Sequence, residues 1–235
     1  MATIYSDERA YRIIGRTAMN ARPLILSTWL LLGLAQAVYA QPQANDYASY
    51  EHLIVDGRAW LSQKRFDEAR NCFERYAQRF GNDPLVYFML GTLADESGDF
   101  AKAVPLYAKS LAIAKSRVLD SEELRINLGN SLLKLNYFDE AIFDYKRAIE
   151  INDKSQLAHL NLSKALLLKG KYAEALSELN RCTELGLEDP NLPLLRALAL
   201  KNSGSAQEGK KEAMRFLERY DGKNPELKKI VLDLF

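Results

Sequence analysis

The chain has 235 residues, of which 48% are apolar and 27% charged, too hydrophobic for a disordered segment and long enough for one folded body. Its 32 lysines and arginines nearly match its 31 aspartates and glutamates, so no broad field exists to gather nucleic acid or an anionic membrane surface. The two cysteines, Cys72 and Cys182, stand alone, which excludes a disulfide framework and a cysteine-based zinc site.

The first element is residues 23–40, P-L-I-L-S-T-W-L-L-L-G-L-A-Q-A-V-Y-A, uncharged and preceded by Arg12, Arg16 and Arg22. Its strongly apolar stretch, 24–34, spans about eleven residues, which suits the core of an export signal better than a membrane span of about twenty. Val38, Tyr39 and Ala40 put small residues at the two positions a signal peptidase reads, so 1–40 is expected to be removed and 41–49 to be a linker. Two starts stand open. Met19 opens a signal of ordinary proportions, whereas Met1 adds a long flank with which the segment could remain as an anchor of the same orientation. No cysteine follows the apolar run, so nothing supports a lipoprotein anchor.

Beyond residue 49 a phrase recurs: K-R-F-D-E-A at 64–69, G-D-F-A-K-A at 98–103, N-Y-F-D-E-A at 136–141 and G-K-Y-A-E-A at 170–175. Its alanines, Ala69, Ala103, Ala141 and Ala175, lie 34, 38 and 34 residues apart. Twelve residues before each stands a small residue, Gly57, Gly91, Gly129 and Ser163, and four after each a large one, Phe73, Tyr107, Tyr145 and Leu179. With Leu90, Leu128 and Leu162 these form an apolar stripe of helical period, the face each helix pair must bury against the next. The pattern resembles the tetratricopeptide-repeat family. That resemblance implies an all-α, right-handed superhelical solenoid of antiparallel helix pairs, in frames 50–83, 84–117, 122–155 and 156–189 with a degenerate fifth at 190–223.

Frame boundaries carry helix-start chemistry: Asp83-Pro84, Asp189-Pro190 and Asn224-Pro225 each set an acceptor at the cap and proline at the first helical position, and Ser121 does so without proline. Pro105 falls, on this reading, in the first turn of a second helix, where its missing N–H is no loss. Four extra residues at 118–121 amount to about one helical turn, so the helix from Phe100 is expected to run long. In the fifth frame Arg196 replaces an apolar residue, Gly209 an alanine and Ala213 a large residue, as a terminal repeat allows. Residues 224–235, with Leu227, Ile230, Val231 and Leu234, are expected to form an amphipathic capping helix.

No nucleophile elbow, phosphate loop or metal-ligand spacing occurs, and His52 and His159 fall on separate helices. A non-enzyme without metal or cofactor is expected. In the resembling family the first helix of each pair lines a concave groove that takes the ligand, which here implies Phe88, Ile126, Leu133, Leu157, Leu168, Leu194 and Leu198 together with six candidate binding residues. Of those six, Asn127, Asn130, Asn161 and Lys164 make a polar row, and Leu160 and Leu167 offer apolar contacts beside it. Asn127 and Asn161 hold the same place in consecutive repeats, and a carboxamide can both donate to and accept from a peptide backbone. The carboxylate clamp of chaperone adaptors is not reproduced, because Ile126 stands at its first lysine and Asn191 and Leu195 at its later basic pair. Asn161-Leu162-Ser163 satisfies the N-glycosylation triplet but lies inside a predicted helix, where it reads as coincidence.

The expected function is a secreted or periplasmic repeat scaffold that binds a protein or peptide partner in its groove. Two alternatives stand: a membrane-anchored assembly subunit of an envelope or secretion complex, and a self-associating structural repeat protein. Membrane contact is expected only if the N-terminal segment is retained.

Overall fold

The computed structural model describes residues 44–116, 120–219 and 225–234; the expected export signal lies outside them. Every described element is an α-helix, and the chain divides into two compact units at Asp120 and Ser121, beside the four-residue insertion. The first unit holds α1 (Ala44–Ser62), α2 (Phe66–Phe80), α3 (Pro84–Glu96) and α4 (Phe100–Ser116). The second holds α5 (Glu122–Lys134), α6 (Phe138–Ile151), α7 (Gln156–Leu168), α8 (Tyr172–Glu184), α9 (Leu192–Asn202), α10 (Ala206–Arg219) and α11 (Pro225–Leu234). Helix α1 begins at Ala44, so the segment expected as a linker is already helical six residues ahead of the first frame.

Each hairpin closes through three residues, and the middle one, Lys64, Gly98, Asn136, Gly170 or Gly204, takes a positive φ between 58° and 98°. This is the first residue of the recurring phrase. The left-handed turn lets the next N–H reach back five residues, as in Arg65 N–H to Trp60 O and Tyr137 N–H to Leu132 O, both 2.9 Å, which satisfies a carbonyl the helix end leaves open. Glycine meets the demand without strain, asparagine tolerates it, and Lys64 is the exception.

The small-to-large pairing sets the distance between the two helices of a hairpin. A methyl group built on Gly57, Gly91 or Gly129 would lie 2.4, 2.7 or 2.6 Å from the ring of Phe73, Tyr107 or Tyr145. In the fourth hairpin the fully buried Ser163 and Leu179 take these roles, and Ala69, Ala103, Ala141 and Ala175 are all fully buried. The fifth hairpin solves the problem differently. With Ala213 in place of a ring there is no spacer, and a methyl on Gly209 would meet the backbone of α9, 2.8 Å from Ala197 O and 3.0 Å from Lys201 N. Val231 of α11 then packs into the buried cluster of Ala197, Ala213 and Phe216, closing the end of the second unit.

Helix starts follow the expected chemistry at Asp83, whose side chain accepts from Leu85 N–H at 2.9 Å, and at Ser121, which accepts from Leu124 N–H at 3.2 Å. Asp189 departs from it. A helix capped there needs an N–H from residue 193 for its first bond, and residue 193 is proline. Leu192 N–H instead bonds Asp189 O at 3.1 Å, and α9 begins two residues later than expected with Leu195 N–H on Asn191 O. Pro105 corrects the reading given for it: it is the sixth residue of α4, not in the first turn. The helix runs through because both Pro105 and Ala101, whose carbonyl loses its donor, are exposed to water.

Candidate functional site

In the second unit the first helices of successive hairpins touch, α5 on α7 and α7 on α9, so they carry one continuous face. Its polar centre is a chain of hydrogen bonds that starts inside the fold. Tyr145, from α6, passes beneath Gly129 and donates its hydroxyl hydrogen to Asn130 Oδ1 at 2.8 Å; Asn161 Nδ2, from α7, donates to the same oxygen at 2.9 Å. The Asn130 carbonyl is therefore spent on two internal donors. Asn130 Nδ2 and Asn161 Oδ1 have no partner among the described residues, which leaves one donor and one acceptor on two amides bonded to each other.

The tyrosine explains what stands at Asn130. In the first unit the Tyr107 hydroxyl likewise reaches Thr92 Oγ1, at 3.4 Å, from the equivalent place. Where the second helix offers no hydroxyl, at Phe73 and Leu179, that place holds a cation, Arg58 or Lys164. Sequence reading took the polar row as surplus to the core. Asn130 is instead the terminus of a core tyrosine, and Asn161 is buried at 8% exposure with its amide nitrogen committed, which also removes that nitrogen as a sugar acceptor.

The six candidates do not share one role. Asn127 is half-buried one turn before Asn130 and makes no hydrogen bond among the described residues; Lys164 is half-buried and makes no ion pair among them. Leu160 is 5% exposed in a core cluster with Leu179, Cys182 and Leu192, so it supports the fold and offers no contact to a ligand. Leu167 is half-buried against the same cluster. Ile126, one repeat before Leu160, is buried too, because the contact between first helices covers that position. The apolar surface next to the amides comes from Leu157 and Leu168, which are 53% and 61% exposed.

Two pairs, one buried and one partly buried, escaped the sequence reading. Arg125 Nη1 meets Asp144 Oδ1 at 2.7 Å, with side chains 2% and 8% exposed. His159 Nδ1 faces Glu178 Oε2 at 2.6 Å and its Nε2 faces Asp153 O, in the connection before α7, at 3.2 Å, so both ring nitrogens are engaged. Each pair joins a first-helix residue to a second-helix carboxylate nineteen positions on, and that repeated spacing was the available signal. Burial pushes the Cys182 thiol up to about 11, with the Glu178 carboxylate acting in the same sense. The half-buried Cys72 thiol is raised as well, again by burial first. Among the described residues no group of three or more His, Cys, Asp or Glu is placed to hold a metal ion, and no helix is long and apolar enough to cross a membrane.

The family model for the Tetratricopeptide repeat matches residues 122–155, and a second model of the same description matches residues 56–117. The chain is 28% identical over 173 residues to anaphase-promoting complex subunit CDC16 of Saccharomyces cerevisiae, covering 72% of this chain and 20% of that protein. It is 34% identical over 93 residues to anaphase-promoting complex subunit 6 of Arabidopsis thaliana, covering 39% and 17%. The chain thus spans about a fifth of the length of these relatives. Among solved structures, the MamA protein aligns with a TM-score of 0.64 at 20% identity, over 74% of this chain and 93% of that one. YrrB, described as a TPR protein with an unusual peptide-binding site, aligns with a TM-score of 0.64 at 16% identity, over 79% and 90%.

Proposed function

The chain belongs to the tetratricopeptide-repeat family, and from that premise we propose that it is an extracytoplasmic, non-catalytic scaffold holding an extended peptide segment of a partner protein on the face of α5, α7 and α9. One observation carries the reading: Asn130 and Asn161, whose amides are bonded to each other and held from below by Tyr145, keep a free Nδ2 and a free Oδ1 respectively. A peptide unit presents the complementary acceptor and donor. Asn127 extends the polar row by one turn, Lys164 adds a positive charge, and Leu157, Leu168 and the half-buried Leu167 give an apolar side chain somewhere to rest. YrrB, described as having a peptide-binding site, lends support by likeness of fold.

Export rests on residues 23–40 and their small-residue ending at Ala40. N-terminal sequencing of the protein made in its own cell should begin at Gln41; an intact Met1 or Met19 terminus in the membrane fraction favours the anchored assembly subunit instead. The binding reading is tested by selecting peptides from a displayed library on the purified chain and titrating the winners against Asn127→Ala and Asn161→Ala variants. Affinity should fall by about three- to tenfold for each lost hydrogen bond. Winners that bind both variants as well as the wild type place the site elsewhere.

A further inference from the structure

The third and fourth hairpins each bury a nitrogen-bearing side chain against a carboxylate nineteen residues on, Arg125 with Asp144 and His159 with Glu178. In the fifth hairpin the same two places are Pro193 and Glu212. Proline supplies neither the reach nor the charge of its counterparts, and a cavity of about 560 Å³ opens there, walled by Leu187, Leu192 and Pro193.

Glu212 keeps the burial of its counterparts, with a side chain only 13% exposed. Its Oε1 takes an exposed neighbour on its own helix, Arg215, at 2.8 Å, while Arg196 Nε stands off at 3.9 Å because that guanidinium is turned to the Asn180 carbonyl. Glu212 Oε2 has no partner among the described residues. Glu188 and Asp189 also line the cavity, Asp189 accepting from Asn191 N–H at 2.7 Å, so its wall holds three carboxylates and two arginines that are already engaged. The lining is left one negative charge in excess, and no cation of the chain stands where Arg125 and His159 stand in the two preceding hairpins.

We propose that this cavity receives an arginine side chain from a partner protein, whose guanidinium completes with Glu212 the pair that Arg125 completes within its own hairpin. Arginine fits better than lysine, because a planar fork can engage Glu212 Oε2 while its stem lies on Leu187, Leu192 and Pro193. The site borders α9 but shares none of the residues assigned to peptide binding on α5 and α7, so each can fail alone.

The test is an NMR titration of the purified chain with N-acetyl-arginine methylamide and with its neutral isostere, the citrulline derivative. The arginine probe should shift amides at 187–193 and 212–215 saturably, and the citrulline probe should bind at least about tenfold more weakly. Glu212→Gln should weaken the arginine probe to the citrulline level. Should that variant lose its helical spectrum, Pro193→Arg serves in its place: the new side chain fills the cavity from within, blocks the probe and raises the melting temperature above that of Pro193→Ala. Equal binding of the two probes overturns the proposal, as do the absence of saturable shifts and unaltered probe binding by Pro193→Arg.

Discussion

Arg125 and Asp144 meet at 2.7 Å across the third hairpin with almost no exposure to water, so removing either charge takes from the other a partner that bulk water does not replace. Removing one member of such a pair costs about 3–5 kcal/mol, while replacing both with apolar residues of similar volume is often neutral. Arg125→Met and Asp144→Leu should therefore each lower the melting temperature sharply, and the double variant should recover most of the loss. The surface pair Lys169–Asp139, also within 3.0 Å, should contribute under about 1 kcal/mol by the same cycle. Additive losses at Arg125 and Asp144 would show that the two side chains act separately.

The glycine of the fifth hairpin sets two effects against each other. In a helix interior, glycine to alanine ordinarily stabilises by about 1 kcal/mol. At Gly209 the new methyl would stand 2.8 Å from a backbone carbonyl of α9, which cannot swing aside as a side chain can. Gly209→Ala should thus lower stability in spite of helix propensity, by the roughly 1–3 kcal/mol of an overpacked core. Gly129→Leu should do the same against the Tyr145 ring, where a Cβ would already lie 2.6 Å away. A rise in melting temperature for Gly209→Ala would mean that α9 and α10 are not in backbone contact.

The helix pairs could be read from the sequence because their steric demand is local and repeated: a ring at Phe73, Tyr107 or Tyr145 permits only glycine opposite it. The same reasoning failed at Asp189, where the cap was identified but the proline four residues on, which denies the helix its first bond, was left out. It also failed at the site. Asn130 looked like a free surface amide because its partners, Tyr145 and Asn161, lie on two other helices, and only the fold shows which side chains meet. Leu160 and Leu157 are both apolar residues of α7, but their burial depends on the neighbouring helices, which put one inside and leave the other exposed.

Lys64 holds the left-handed position that glycine fills in three of the five hairpin turns, at φ 58°. The conformation costs a residue with a Cβ about 1–2 kcal/mol, and the extra freedom glycine gives the unfolded chain offsets part of that. Lys64→Gly should raise stability by roughly 0.5–1 kcal/mol, measured by urea denaturation with an unchanged slope. Asn136→Gly should change less, because asparagine already tolerates this backbone. A loss on Lys64→Gly would assign the side chain a contact worth more than the strain.

Cys182 gives stability a dependence on alkaline pH. Its thiol ionises near 9.0 when unfolded and at about 11 when buried, so between those values the unfolded chain has lost the proton and the native one keeps it. Stability is then fully present below about pH 9 and falls as pH rises toward 11. Cys182→Ala should flatten that decline in urea titrations run across the window. At pH 8 the native protein should also react with a thiol reagent at the half-buried Cys72 well before Cys182.

Asn127 and Asn130, one turn apart on α5, should separate binding from folding. Asn130→Ala removes the acceptor shared by the Tyr145 hydroxyl and the Asn161 amide, and leaving such groups unpaired costs about 1–3 kcal/mol. Part of that loss should return in the double variant with Tyr145→Phe, which no longer carries a hydroxyl to satisfy. Asn127 makes no hydrogen bond among the described residues, so Asn127→Ala should keep the melting temperature, within about 0.5 kcal/mol of stability. Any effect it has on a selected peptide is then an effect on binding alone. If Asn130→Ala instead melts like the wild type, the Tyr145 hydroxyl and the Asn161 amide have found water in its place, and the bonds to Asn130 contribute nothing to the fold.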